Sequence, residues 1–98
     1  MSRDPGGTPE SETVTVRYWA SARAAAGVDE DHLAVDGPTS LADVVRRVLE
    51  ARPSPRLADV LGVCSVLVGD RPVGGKDREA VTVRPGDSIE FLPPFAGG

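Results

Sequence analysis

Leu41, Val44, Val45, Val48 and Leu49 fall at i, i+3, i+4, i+7 and i+8, an apolar stripe that an α-helix gathers on one side. Asp43, Arg46, Arg47 and Glu50 fill the opposite, solvated side. Before and after this segment the period changes to two. Val14, Val16 and Tyr18 alternate with Thr15, Arg17 and Trp19 upstream, and Ile89 and Phe91 alternate with Ser88 and Glu90 downstream. A helix with one apolar side, flanked by strands with one apolar face each, buries its stripe against the sheet those strands build. The expected class is therefore two-layer α+β.

The punctuation between these segments sets the element order. Pro38-Thr39-Ser40 opens the helix, with Thr39 expected as its N-cap, and Pro53 prevents its continuation. Leu57, Val60 and Leu61 predict a short further helical turn ended by Gly62. Ser21 to Gly27 predicts another, closed by Gly27. Leu33 to Asp36 reads as a second strand, paired with the first as a hairpin. Cys64 to Val68 is a nearly continuous apolar run, suited to a strand in the middle of a sheet.

Gly69 to Pro72 reads as a turn, and Val81 and Val83 belong to a short strand. Arg84-Pro85-Gly86-Asp87 carries the type II signature, Pro then Gly at the two central positions. Pro93, with no N–H to donate, ends the last strand. The result is a four- to five-stranded mixed sheet with one main helix packed across it and the first and last strands adjacent at its centre, the β-grasp arrangement. Residues 1–12 are polar and rich in Gly, Pro and Ser, and are expected as a disordered leader. Residues 13–92 form the domain and 93–98 an extended tail.

A chain of 98 residues suits one core, which buries roughly two-thirds of its unfolded surface without a disulfide or metal. The aromatics are few (Tyr18, Trp19, Phe91 and Phe95), so that core is aliphatic. Eleven Lys and Arg against 15 Asp and Glu give a net charge of −4, which disfavours nucleic acid and suits a basic protein partner. A single cysteine, Cys64, cannot form an internal disulfide, which points to a reducing cytoplasm. No apolar run approaches membrane-spanning length.

Catalytic side chains are hard to find. His32, the only histidine, has no carboxylate, Ser or Cys near it in a triad-like arrangement and is expected as a solvated surface residue. Asp29, Glu30 and Asp31 read as a wet loop. Metal-ligand spacing is absent, and Gly74-Gly75-Lys76 lacks the context of a phosphate loop. Cys64 is expected to pack in the core as a small apolar residue. Trp19 is a candidate partner anchor on the outer face or end of the first strand, with packing under Ala24–Ala26 as its alternative. Phe95 either pins the tail to the body or fills a partner's pocket.

The tail itself, Pro93-Pro94-Phe95-Ala96-Gly97-Gly98, is stiff at its base and slim at its tip. Glycine has no Cβ, so its backbone enters channels too narrow for other residues, and a terminal glycine leaves its carboxyl carbon unshielded. Six residues reach at most roughly 20 Å. The restricted prolines reduce the entropy lost when the tail threads into a neighbour.

VRYWASARAAAG near the start, DGPTSLADVV at the main helix, PGDSIEFLPP before the tail and the closing FAGG resemble the MoaD/ThiS sulfur carriers, ubiquitin-like β-grasp proteins. Among them the small subunits of molybdopterin synthase are the most similar, and the resemblance spans residues 13–98. It implies that Gly98 is the working residue. An activating, MoeB-like enzyme adenylates its carboxylate with ATP, a sulfur donor converts it to a thiocarboxylate, and a MoaE-like large subunit receives the tail Pro94, Phe95, Ala96 and Gly97 with its sulfur. The carrier then needs no cofactor, membrane or catalytic side chain of its own. Arg23 falls where related carriers often have arginine. Carriers for thiamine, cysteine or another thiolated metabolite, and ubiquitin-like protein modifiers, are the alternatives.

Overall fold

The structure, a computed structural model, describes residues 12–94. Strands β1 (Thr13–Tyr18), β2 (Glu30–Ala34), β4 (Ser65–Val68), β5 (Arg71–Pro72) and β7 (Ser88–Leu92) form a mixed sheet in the order β2-β1-β7-β4-β5. Two short strands, β3 (Thr39–Ser40) and β6 (Thr82–Val83), pair apart from it. The helices are α1 (Ala20–Ala26), α2 (Leu41–Ala51) and α3 (Pro55–Val63). The first and last strands run parallel at the middle of the sheet, Thr15 beside Ser88 and Tyr18 beside Phe91, so the fold is the expected ubiquitin-like β-grasp.

Alternation decides which face is covered. Val14, Val16, Val66, Val68, Ile89 and Phe91 point to one face and are buried there against Leu41, Val44 and Val48 of α2 and Leu57 and Leu61 of α3. Val45 and Leu49, at the margin of the α2 stripe, are partly buried. The rings of Tyr18 and Phe91 stack with centroids 6.4 Å apart. Cys64 packs in this core, and burial pushes its thiol up to about 11.

The turn chemistry follows the sequence at two places. Gly27 closes α1 in the left-handed region at φ 81°, with its N–H bonded to the carbonyl of Arg23. Gly86 adopts φ 91° in the 84–87 turn, closed by Asp87 N–H donating to Arg84 C=O at 3.0 Å.

Five expectations are corrected. The cap of α2 is Ser40, not Thr39: Ser40 Oγ accepts the Asp43 N–H at 3.0 Å. Thr39 is one residue too early and its hydroxyl donates instead to the Asp43 carboxylate at 2.9 Å. Gly62 does not end the second helical turn, which is a full helix to Val63 capped at its start by Ser54. Glycine lowers helix propensity without forbidding helix, and the burial of Leu57 and Leu61 outweighs it.

The second strand lies at 30–34 rather than at Leu33 to Asp36, so Glu30 and Asp31 belong to a strand and not to a wet loop. It is an edge strand, where charged residues are tolerated and the apolar signal is weak. Arg71-Pro72 is itself the edge strand β5 of a hairpin, placed where proline has no ladder bond to break. Glu12, at the end of the expected leader, accepts the Val35 N–H with its carbonyl at 2.9 Å. The rest of that leader lies outside the described residues.

Candidate functional site

Strands β1 and β7 finish side by side, and their common end is where the chain departs toward residue 98. The N–H of Trp19, one residue beyond β1, donates to the carbonyl of Phe91 at 3.2 Å. The ladder therefore holds to the last residues of β7. Pro93 is half-buried and Pro94 exposed. Neither can donate a backbone bond to a neighbouring strand, so the chain leaves the sheet here.

The uncovered face beside that exit is built by alternation. Arg17, Glu90 and Leu67 stand in a row across β1, β7 and β4, and Ser65 lies opposite Leu92. Trp19 joins them at the strand's end, caps α1 and stays 46 % exposed. It does not fold under the alanines of α1. Its indole N–H donates to a Glu90 carboxylate oxygen at 2.9 Å, which fixes the ring on the outer face. Leu67 and Leu92 are half-buried neighbours of Glu90 in the same strand pair. Behind Trp19 lies a cavity of about 260 Å³ bounded by Arg17, Tyr18, Trp19, Arg23, Asp29 and Glu30. Arg23 pairs with Asp29 at 3.4 Å on its rim, and Arg17 with Glu30 at 3.3 Å.

Beneath this face an internal brace sets the strand ends. Tyr18 Oη donates to Asp31 Oδ2 at 2.8 Å, and Arg52, just past α2, donates to both Asp31 oxygens. The hydrogen bonds from Arg52 hold the Asp31 carboxyl below the usual carboxylate range, against the opposing effect of burial. Burial, with the adjacent Asp31, pushes the Tyr18 phenol above its ordinary value. These groups tie β1, β2 and the end of α2 together.

His32 is placed differently from expectation in one respect. A carboxylate does reach it: Glu30 Oε2 lies 2.9 Å from Nε2, and Thr15 Oγ1 lies 3.3 Å from Nδ1. The ring is nevertheless a surface group, 57 % exposed, and Glu30 is shared with Arg17. A hydroxyl, imidazole and carboxylate in line on an open sheet have no enclosure to exclude water or position a reacting atom. Among the described residues no cluster of three or more His, Cys, Asp or Glu could hold a metal, and no helix is long and apolar enough to cross a membrane.

Of the predicted site residues, the structure thus places Trp19 and Pro94 at one end of the sheet. Phe95, Ala96, Gly97 and Gly98 lie outside the described residues. Glu90, Leu67 and Leu92 were missed by sequence reasoning, although their alternation with Ile89 and Phe91 marks them as outward-facing.

Relatives agree with this architecture. A protein of Chlamydomonas reinhardtii named molybdopterin synthase sulfur carrier subunit is 28 % identical over 85 residues, covering 87 % of this chain and 98 % of that one. The Haloferax volcanii HVO 2177 protein is 30 % identical with a TM-score of 0.68, covering 100 % of this chain and 99 % of that one. Subunit 1 or 2 of the molybdopterin-converting factor of Helicobacter pylori, solved as a complex of the two, is 24 % identical with a TM-score of 0.59, over 88 % of this chain and 99 % of that one. The profile of the ThiS family matches residues 16–98, from within β1 through the tail, and this chain belongs to that family.

Proposed function

We propose that this protein is a sulfur carrier acting as the small subunit of a molybdopterin synthase, with the carboxyl carbon of Gly98 as its reactive centre. The observation that carries the reading is the family match, which spans residues 16–98. The sulfur-carrier name of the Chlamydomonas relative supports the pathway, and the two-subunit complex of the Helicobacter factor supports a large-subunit partner.

The chemistry is acyl activation. The Gly98 carboxylate attacks the α-phosphorus of ATP on an activating enzyme, releasing pyrophosphate and forming an acyl-adenylate. A sulfide equivalent from a sulfur donor adds at the carbonyl carbon and AMP leaves, giving a thiocarboxylate. The large subunit then receives Pro94, Phe95, Ala96 and Gly97 as a thread, and the sulfur passes to the pterin precursor while oxygen from water restores the carboxylate. The β-grasp body aims the thread, and the outer face around Trp19, Leu92 and Glu90 meets the partner. A partly exposed tryptophan with its N–H already satisfied is a rigid apolar anchor.

Intact mass spectrometry after incubation with ATP, a MoeB-like enzyme and a sulfur donor tests this. A gain equal to sulfur replacing oxygen, located on Gly98 and absent from a chain lacking Gly98, is expected. No gain with an activating enzyme that loads a known carrier defeats the reading. Attachment to lysines of other proteins through Gly98, with no thiocarboxylate formed, would make the chain a modifier instead.

A further inference from the structure

The cations of this acidic chain are mostly engaged. Arg17, Arg23, Arg46 and Arg52 pair with carboxylates, and Arg47 and Arg78 donate to backbone carbonyls. Among the described residues four cationic side chains make no hydrogen bond or ion pair: Arg56, Arg71, Lys76 and Arg84. Three of those four, all but Arg56, line a single cavity of about 430 Å³.

That cavity lies under the β4–β5 edge. Arg71 stands opposite Val68, and the nearly buried Val68 and Val73 with the half-buried Val81 form the floor of a lining that is otherwise mostly polar. Its one lining carboxylate, Asp87, is already used, Oδ2 accepting the Arg84 backbone N–H at 2.8 Å. Three cationic side chains against one carboxylate leave the hollow net positive, which favours a compact multivalent anion there.

We propose that the cavity bounded by Arg71, Lys76 and Arg84 binds a phosphate-bearing small molecule, the phosphate on the three cations and the less polar body on Val68, Val73 and Val81. The volume is that of a small-molecule site. A long polyanion fits worse, because beyond this hollow it meets a chain of net charge −4. An acidic peptide spreads its carboxylates along an extended backbone, while these three cations all line one concavity. Asp87 precedes β7 and Pro93 follows it, so the cavity and the point where the chain leaves the sheet lie at opposite ends of one strand, about 16 Å apart for five residues.

Amide chemical-shift titrations of the full chain at low salt, with AMP, inorganic phosphate and a glutamate hexapeptide as probes, test this. AMP is expected to give saturable shifts confined to residues 68–87, with Kd about 1 mM or tighter. Arg71→Gln with Arg84→Gln should weaken it by at least about tenfold, Lys76→Gln alone by less, and Arg56→Gln not at all. All these variants should stay folded, the double variant at least as stable as the parent in the absence of ligand, because repulsion is removed. Linear, unsaturating shifts, or equal affinity in the double variant, overturn the site. Equal affinity for AMP and inorganic phosphate overturns the role of the valine floor. Tighter saturation by the hexapeptide than by AMP replaces the small molecule with an acidic peptide and overturns the proposal.

Discussion

Arg52 grips Asp31 through both carboxylate oxygens, Nε at 2.7 Å and Nη2 at 2.6 Å, and so ties the end of α2 to the edge strand β2. Tyr18 adds a third bond to the same carboxylate from β1. Asp31→Asn removes the charge that Arg52 and Tyr18 both address and is expected to cost about 1–3 kcal/mol at neutral pH, measured by urea unfolding. The loss should depend on pH with a definite sign. The folded Asp31 pKa is depressed, so its contribution is full above the ordinary value of 3.8 and disappears as pH falls through the lower folded value. The stability gap between the parent and Asp31→Asn should therefore narrow in acid; a gap that stays constant there would refute the brace.

Tyr18 behaves oppositely. Its phenol titrates higher in the folded protein, so the neutral form is favoured and the contribution is present below the ordinary value of 10.0 and lost as pH rises above it. Tyr18→Phe keeps the ring against Phe91 and should cost only about 0.5–1.5 kcal/mol at neutral pH. Its unfolding curve should approach that of the parent above pH 10, provided the rest of the fold survives in both.

Cys64 should be chemically quiet. Its thiol is buried and pushed up to about 11, so the thiolate is scarce at neutral pH. Alkylation of the native protein by iodoacetamide is expected to be slower than that of the urea-unfolded chain by about tenfold or more. Cys64→Ala should still accept sulfur at Gly98 in the mass assay; loss of loading in a folded Cys64→Ala protein would assign the thiol a role in transfer.

Trp19 separates stability from recognition. Its exposed ring contributes little to the core, so Trp19→Ala should change unfolding free energy by less than about 1 kcal/mol. Binding to a molybdopterin synthase large subunit, measured by calorimetry, should weaken by about 2 kcal/mol or more, roughly thirtyfold. Unchanged affinity would move the partner surface elsewhere on the sheet.

Gly86 is the turn residue with the clearest backbone requirement. At φ 91° a Cβ is strained although the space around it is open. Gly86→Ala should therefore cost about 1–2 kcal/mol in thermal or urea unfolding, with no change in core packing.

Local periodicity carried most of the fold. Val14, Val16, Tyr18, Ile89 and Phe91 declared their faces because strand alternation is a property of neighbouring residues, and the α2 stripe did the same with its period of 3.6. Gly27 and Gly86 declared their turns because a positive φ is a property of one residue. By itself, then, the sequence determined the class of the fold, its central strands, its main helix and the chemical character of its tail.

Tertiary structure decided what depends on distant partners. The Glu30–Asp31 strand was hidden because an edge strand needs no apolar face, and its register comes from pairing with β1. The choice of Ser40 over Thr39 turned on where β3 stops and helical geometry begins, a difference of one residue between two equally suitable hydroxyls. Trp19 and Glu90 are 71 residues apart, and only the parallel alignment of β1 with β7 brings them together beside the tail. Arg71, Lys76 and Arg84 likewise come to line one cavity only in the folded chain. Periodicity is local and is written along the chain; register and side-chain convergence are long-range and exist only once the sheet has closed around its core.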